Sequence, residues 1–151
     1  MYYELFRKLS SPDTNNENEF KSSLIPKTNH RVAKNSKGLP SILINTKNDE
    51  SLVSNYKGAN ILLRFKENCK IHEEKKSVFF TILSCRSDDE QTIKMFLDIC
   101  ETTIPQLKKD PSAKEIKNVT NTIIDLFREL SEKKRSIIGL WGELFIIYCS
   151  S

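Results

Sequence analysis

Apolar residues recur with two different spacings along the chain, and the change separates a strand-rich part from a helical part. The first ten residues place their apolar side chains at helical spacing, which predicts a short amphipathic helix over Tyr2–Leu9. The stretch SSPDTNNENEFKSS (residues 10–23) is polar and rich in turn-forming residues. It is therefore predicted to be a loop.

Four segments between residue 30 and Cys85 have strand-like patterns, namely HRVAKN, SILIN, ILLRF and SVFFTILSC. Because only short turns separate them, they predict an antiparallel sheet. SVFFTILSC is apolar on both faces and is predicted to be a central strand that is covered on each side. In ILLRF, the face opposite Arg64 carries Ile61, Leu63 and Phe65, and it is the predicted core face.

The spacing becomes helical at Ser87. The sequence SDDE has the form of a capping box, with Ser87 as N-cap and Glu90 three residues later. The helix that follows is expected to end near Pro105. Its predicted buried stripe consists of Ile93, Phe96, Leu97, Cys100 and Ile104.

A second helix is predicted to begin at DPSAKE, where Ser112 and Glu115 form another capping box. Its apolar stripe keeps the three-four spacing over nearly five turns and consists of Ile116, Val119, Ile123, Phe127 and Leu130. The sequence SEKKRS (131–136) predicts a break, and Ile137–Tyr148 is then the last helix.

Together these elements predict an α+β fold, with an N-terminal, mostly antiparallel β-sheet and a short first helix, followed by three helices. We predict a division into two parts. Residues 1–109 form a β-rich domain with one packing helix, and residues 110–151 form a helical hairpin whose second helix covers about residues 132–149.

Composition narrows the class of protein only moderately. The chain has 151 residues, of which 38% are hydrophobic, so it can bury a core. A net charge of +4 is mildly basic and by itself indicates no partner. The four cysteines lack zinc-site spacing and are expected to be reduced, mostly buried thiols. Since no signal peptide or membrane span is found, we expect a soluble, cytoplasmic protein without a membrane partner.

The sequence GLWGEL near the end of the chain combines two helix-weakening glycines with one carboxylate. Gly139 and Gly142 together cost a helix about 2 kcal/mol relative to alanine. On a helix, Ser136, Gly139 and Glu143 share one narrow face. Either the glycines permit tight packing and Glu143 is a surface residue, or they clear a groove in which Glu143 borders a ligand.

The segment EKKRSIIGLWGELFIIYC resembles the G-L-x-G-E-L-x-x-L segment of a family of PD-(D/E)XK restriction-type endonucleases of bacteria and their mobile elements. By that resemblance, Glu143 is a catalytic-site residue that helps to frame the metal site. The family's aspartate and E-x-K pair should lie on strands after this helix, and the chain ends at Ser151. We therefore expect the N-terminal, catalytically incomplete portion of a DNA endonuclease of restriction-modification or defence type. Mg²⁺ is expected for the complete parent protein and no cofactor for this chain.

Two basic or mixed-charge clusters are further candidates. Lys133, Lys134 and Arg135 precede the last predicted helix and are candidate nucleic-acid contacts, although a solvated turn explains them as well. The segment ENCKIHEEKK contains His72 beside two glutamates and is predicted to be charged and exposed. A metal site is not indicated there, because no second histidine is near.

Two hypotheses of different class remain. In the first, the chain belongs to a DNA endonuclease and serves DNA recognition or assembly. In the second, it is a non-enzymatic α+β interaction module that docks a protein partner through the helical hairpin. In either case the apolar last helix predicts self-association into a homo-oligomer.

Overall fold

The fold is a curved sheet with helices packed on one face. The computed structural model describes residues 1–47, 54–72 and 76–139, with the backbone alone for residues 76 and 133–139. The described helices are α1 (Tyr2–Lys8), α2 (Glu90–Thr103) and α3 (Ala113–Gly139), with a 3₁₀ helix at Ile104–Gln106. The described strands are β1 (Glu19–Leu24), β2 (Arg31–Lys34), β3 (Pro40–Asn45), β4 (Tyr56–Lys57), β5 (Ile61–Ile71) and β6 (Lys76–Cys85). The predicted α+β class is confirmed.

The strands form one sheet in the order β1-β2-β3-β6-β5-β4, and neighbours in this order are antiparallel. A parallel pairing of β1 with the far end of β5 joins Glu19 to Lys70 and Phe20 to Ile71. This pairing closes five of the strands into a ring, with β4 on the outside edge of β5. The closed sheet therefore has an inner face and an outer face.

The inner face has its own apolar core, which is built from strand residues alone. Its buried members are Phe20, Ala33, Leu43, Cys69, Ile71, Phe80 and Ile82. Val78 packs against this core as well. Since side chains alternate along a strand, the neighbouring apolar residues of the same strands, such as Val32 and Ile42, point outward. β6 thus contributes Phe80 and Ile82 to the inside and Leu83 and Cys85 to the outside. This confirms the prediction that SVFFTILSC is a central strand covered on both sides.

The outer face packs against all three helices. α1 contributes Tyr2 and Phe6, and the rings of Phe96 on α2 and Phe127 on α3 meet edge to face at a centroid distance of 6.1 Å. The predicted stripe of α2 is buried throughout. The α3 stripe is buried as far as Phe127, whereas Leu130, which was predicted to be buried, is 38% exposed in a shallow pocket beside α2.

Two segments that were predicted to be irregular are strands. Residues 19–23 belong to β1 and not to a loop, because Phe20 fills the inner core and the backbone pairs with β2. β5 continues through residues 67–71, which were predicted to be exposed, and there Cys69 and Ile71 are buried. Both segments form strands although most of their residues are polar, because only the positions that face inward need to be apolar.

The helix ends also differ from the predictions. The N-cap of α2 is Asp89 and not Ser87, and its carboxylate accepts a hydrogen bond from the backbone N–H of Thr92 at 3.0 Å. Ser112 caps α3 as predicted, since its hydroxyl accepts the backbone N–H of Glu115 at 3.2 Å. The return bond of the capping box differs, because the Glu115 carboxylate accepts from the Ser112 hydroxyl at 3.3 Å. The predicted break over residues 131–136 is absent, because α3 is continuous to Gly139.

The predicted division after residue 109 remains a prediction, as does self-association, since most of the predicted last helix lies outside the described residues. Among the helices that the structure describes, none combines the length and apolar character required to cross a membrane.

His30 ties the sheet to the segment between α2 and α3. Its ring is fully buried, and its Nδ1 accepts the backbone N–H of Asn45 at 3.0 Å. Nε2 must then carry the hydrogen, which it donates to the carbonyl oxygen of Lys108 at 2.8 Å. This bonding pattern requires the neutral ring. Burial accordingly lowers the pKa of His30 from 6.5.

We expect the free energy of unfolding to fall as the pH drops through 6.5, because the unfolded chain then binds a proton that folded His30 resists. Above that pH, His30 is neutral in both states and its contribution is complete. The slope attributable to His30 should approach about 1.4 kcal/mol per pH unit and should disappear in His30→Gln. Urea unfolding between neutral and mildly acidic pH measures it. His72→Gln is the control, and an unchanged slope in His30→Gln would contradict the assignment.

Candidate functional site

Three chain segments meet at one mouth of the closed sheet. They are the turn between β2 and β3, the turn between β4 and β5, and the end of β6. The strand register places them together, since Lys34 pairs with Pro40 and Ile61 pairs with Cys85. The backbone N–H of Arg86 also donates to the carbonyl of Asn60 at 2.9 Å.

The β2–β3 turn is fixed by its own side chain. The Oδ1 atom of Asn35 accepts the backbone N–H groups of Lys37 and Leu39, both at 3.0 Å. Gly38 has φ of +79°, a left-handed conformation that favours glycine. These constraints hold the exposed Lys37 at the tip of the turn.

The mouth encloses a cavity of about 370 Å³, which we call the mouth cavity. Counted over the described residues, its lining contains four cationic side chains and one carboxylate, that of Glu17. The cations are Lys37, Lys57, Arg64 and Arg86. Within the part of the chain that the structure describes, none of these four is in an ion pair. The cavity is therefore a region of positive potential.

Arg64 lies deepest among the four cations and is held at one nitrogen. It projects from β5, where Arg64 pairs with Ile82 of the inner face, and its Nη1 donates to Oδ1 of Asn18 at 2.5 Å. Asn18 is itself fixed, because its Nδ2 donates to the carbonyl of Asn68 at 3.2 Å. The Nε atom of Arg64 is buried and has no hydrogen-bond partner. Leaving such a donor unpaired costs about 1–3 kcal/mol.

Arg86 is positioned by the neighbouring turn. Its Nη1 donates to the carbonyl of Gly58 at 2.8 Å, which holds the exposed guanidinium at the rim next to Lys57. The rim therefore carries three exposed cations, and Arg64 lies behind them.

Two consecutive residues of β6 lie at the wall of the cavity. Ser84 is buried, and its hydroxyl lies 2.8 Å from that of Ser41. The side chain of Cys85 belongs to the outer core, and burial there raises the pKa of its thiol to about 11. Because the thiolate is the reactive form, Cys85 is not an activated nucleophile at neutral pH.

The arrangement is suited to binding an anion. Arginine and lysine side chains without carboxylate partners recognise phosphate through charge and through the fork of guanidinium N–H groups. The described lining contributes no histidine that could act as a general base.

Comparison with protein families gives a match over nearly the whole chain. A family model described as "Putative PD-(D/E)XK family member (DUF4420)" matches residues 2–149. The chain belongs to this family. Neither the curated proteins nor the solved structures contain a match to it.

The predicted site residues of this PD-(D/E)XK family member are only partly described. Glu143 lies outside the described residues, and Lys133, Lys134 and Arg135 are described only as backbone of α3. Their predicted roles therefore remain predictions. Among the described residues, no group of three or more His, Cys, Asp or Glu side chains could hold a metal ion. His72 instead lies 3.2 Å from the carboxylate of Glu19.

The cations of the mouth cavity were missed by the sequence analysis of this PD-(D/E)XK family member. Lys37 and Lys57 each precede a glycine in a predicted turn, and Arg86 follows the last predicted strand. These positions predict that the three side chains are exposed, but they do not predict that the residues lie close together. Only the order of strands in the closed sheet brings the three segments together.

We expect the Cys85 thiol to resist alkylation although the residue borders the cavity. The thiol is buried in the outer core, and at pH 8 a thiol with a pKa of about 11 is ionised to roughly one part in a thousand. Native protein treated with iodoacetamide should be modified at Cys85 as slowly as at Cys100, which is fully buried in the outer core. Peptide mass spectrometry measures both sites, with urea-unfolded protein as the positive control. Rapid labelling of Cys85 alone would contradict this account of the cavity wall.

Proposed function

We propose that this chain is the DNA-binding region of a PD-(D/E)XK DNA endonuclease of restriction or defence type, and that the mouth cavity contacts DNA phosphate. The observation that carries the proposal is the cluster of four cations around one cavity, none of which has an ion-pair partner among the described residues. Membership of the family makes a nucleic acid the natural source of the anion.

The energetic argument favours phosphate over an incidental surface charge pattern. Bringing four cations to one cavity costs repulsion, and the single lining carboxylate, Glu17, offsets it only in part. A phosphate backbone would relieve that repulsion and release counterions. The fixed geometry of the β2–β3 turn means that little backbone freedom is lost there on binding.

The second proposed contact is the basic cluster of Lys133, Lys134 and Arg135. α3 carries these residues away from the outer core, beyond the last buried turn at Phe127. In the proposed endonuclease, Glu143 helps to frame the active site, and Mg²⁺ is the cofactor of the complete enzyme. No catalytic step is assigned to the described residues.

Neutralising two rim lysines should weaken DNA binding and its dependence on salt. In Lys37→Gln/Lys57→Gln, the slope of log K against log salt should become shallower by about 2, because each phosphate contact contributes about 0.9. Fluorescence anisotropy with a short labelled duplex measures the slope. The matched control is Lys94→Gln/Lys117→Gln, which removes the same charge from exposed helix positions. Equal losses in both variants would show that only net charge matters.

Replacing Lys133, Lys134 and Arg135 by alanine should also weaken binding, with a slope shallower by up to about 3. The control is Lys94→Ala/Lys114→Ala/Lys117→Ala. Unchanged binding in the test variant would remove these residues from the interface. If neither the native chain nor any variant binds DNA at low salt, the endonuclease proposal fails and the protein-interaction alternative gains support.

A further inference from the structure

The mouth cavity has two tiers of cationic groups. Lys37, Lys57 and Arg86 are exposed at the rim, whereas Arg64 is half-buried and its Nε is completely covered. A continuous DNA backbone that crosses the mouth can reach the rim. Only a group that enters the cavity can reach the inner guanidinium.

One nitrogen of Arg64 is left to bind that group. Nη1 is engaged with Asn18, and Nε is covered by protein, whereas Nη2 is not covered and has no hydrogen-bond partner within the described residues. A guanidinium N–H donates a charge-assisted hydrogen bond to a phosphate oxygen. Nη2 is therefore the donor that a phosphate in the cavity can reach.

The size and the walls of the cavity limit the ligand to about one nucleotide. A volume of about 370 Å³ lies near the lower end of the roughly 300–1,000 Å³ typical of small-molecule sites. Leu39 and Leu62 provide half-buried apolar surface beside the cations. Such a surface can pack against the face of any base or against a sugar, so it does not select a particular base.

The charge balance favours a terminal phosphate over an internal one. The lining carries four cations and one carboxylate, hence a net charge of +3. A phosphate monoester carries about −1.5 to −2 charges at neutral pH, whereas an internal phosphodiester carries only one. The monoester is therefore the better match.

We propose that the mouth cavity binds a single nucleotide bearing a phosphate monoester, to which Arg64 donates through Nη2. This inference rests on the proposed function, because it names the part of the nucleic acid that enters the site. The same chemistry is offered by the 5′-phosphorylated end of a strand and by a free mononucleotide.

The test compares four probes on the full chain: a deoxynucleoside 5′-monophosphate, the same nucleoside without phosphate, and a labelled DNA hairpin with and without a 5′-phosphate. We expect the monophosphate to bind at least about tenfold more tightly than the nucleoside. Arg64→Gln should abolish this difference. A preference for the 5′-phosphorylated hairpin over the 5′-hydroxyl hairpin identifies a strand end as the source, and binding of the monophosphate without that preference identifies a free nucleotide.

A second variant covers the case in which Arg64→Gln fails to fold. Leu62→Phe fills the cavity while leaving every charge in place, and it should weaken the monophosphate without changing the salt dependence of duplex binding. The control is Leu126→Phe, at an exposed position on α3. Urea midpoints confirm that each variant is folded.

The outcomes separate this inference from the proposed function. If the duplex binds through Lys37 and Lys57 but the monophosphate does not bind, the nucleotide inference is overturned and the DNA-binding function stands. If the monophosphate binds with the same affinity to native protein, Arg64→Gln and Leu62→Phe, the site lies elsewhere and the inference is also overturned. If the monophosphate binds through Arg64 and no DNA binds, the inference stands and the proposed function fails.

Discussion

Closure of the sheet between β1 and β5 is the interaction on which the rest of the structure depends. Only two residue pairs join these strands in parallel, but hydrogen bonds on either side extend the contact. The N–H of Lys70 donates to the carbonyl of Asn18 at 2.8 Å, and the N–H of His72 donates to that of Phe20 at 3.0 Å. Without this closure, the inner apolar face would be exposed to water and the sheet would have no mouth. The mouth cavity, and the position of Arg64 within it, follow from the ring.

A bulge in β5 makes that closure possible. The register against β6 shifts between Arg64 and Glu67, and Lys66 within the bulge has φ of +51°. Such bulges bend a strand and increase its twist. The first half of β5 can therefore pair with β4, while its last residues reach β1. Arg64 is the last residue before the bend. The bulge that allows the sheet to close therefore also fixes the position of this inner cation of the cavity.

The parts of the fold that depend on local pattern could be predicted from the sequence. The 3.6-residue period identified α2 and the buried stripe of α3, and the alternation in ILLRF identified the outer face of β5. β1 was missed because Phe20 is its one large buried side chain, which gives no periodic signal. The break expected over residues 131–136 rested on a run of polar residues, and a helix accepts such a run wherever it extends past its packing surface. The cationic cavity could not be predicted, because its residues come from turns that only the strand order brings together.

Under the proposed function, the described part of the chain would contribute to DNA cleavage without carrying the chemistry. Hydrolysis of a phosphodiester needs carboxylates to hold the metal and a group that activates water. The mouth cavity offers cations instead. Groups of this kind bind substrate and transition state equally well, so they raise affinity and not the rate of the chemical step. A cationic mouth can position the substrate, because holding one nucleotide fixes the register of the DNA strand relative to a distant active site. On that account, the stiffness of the closed sheet is itself part of the proposed function, because a mouth that could open would lose the register that it sets.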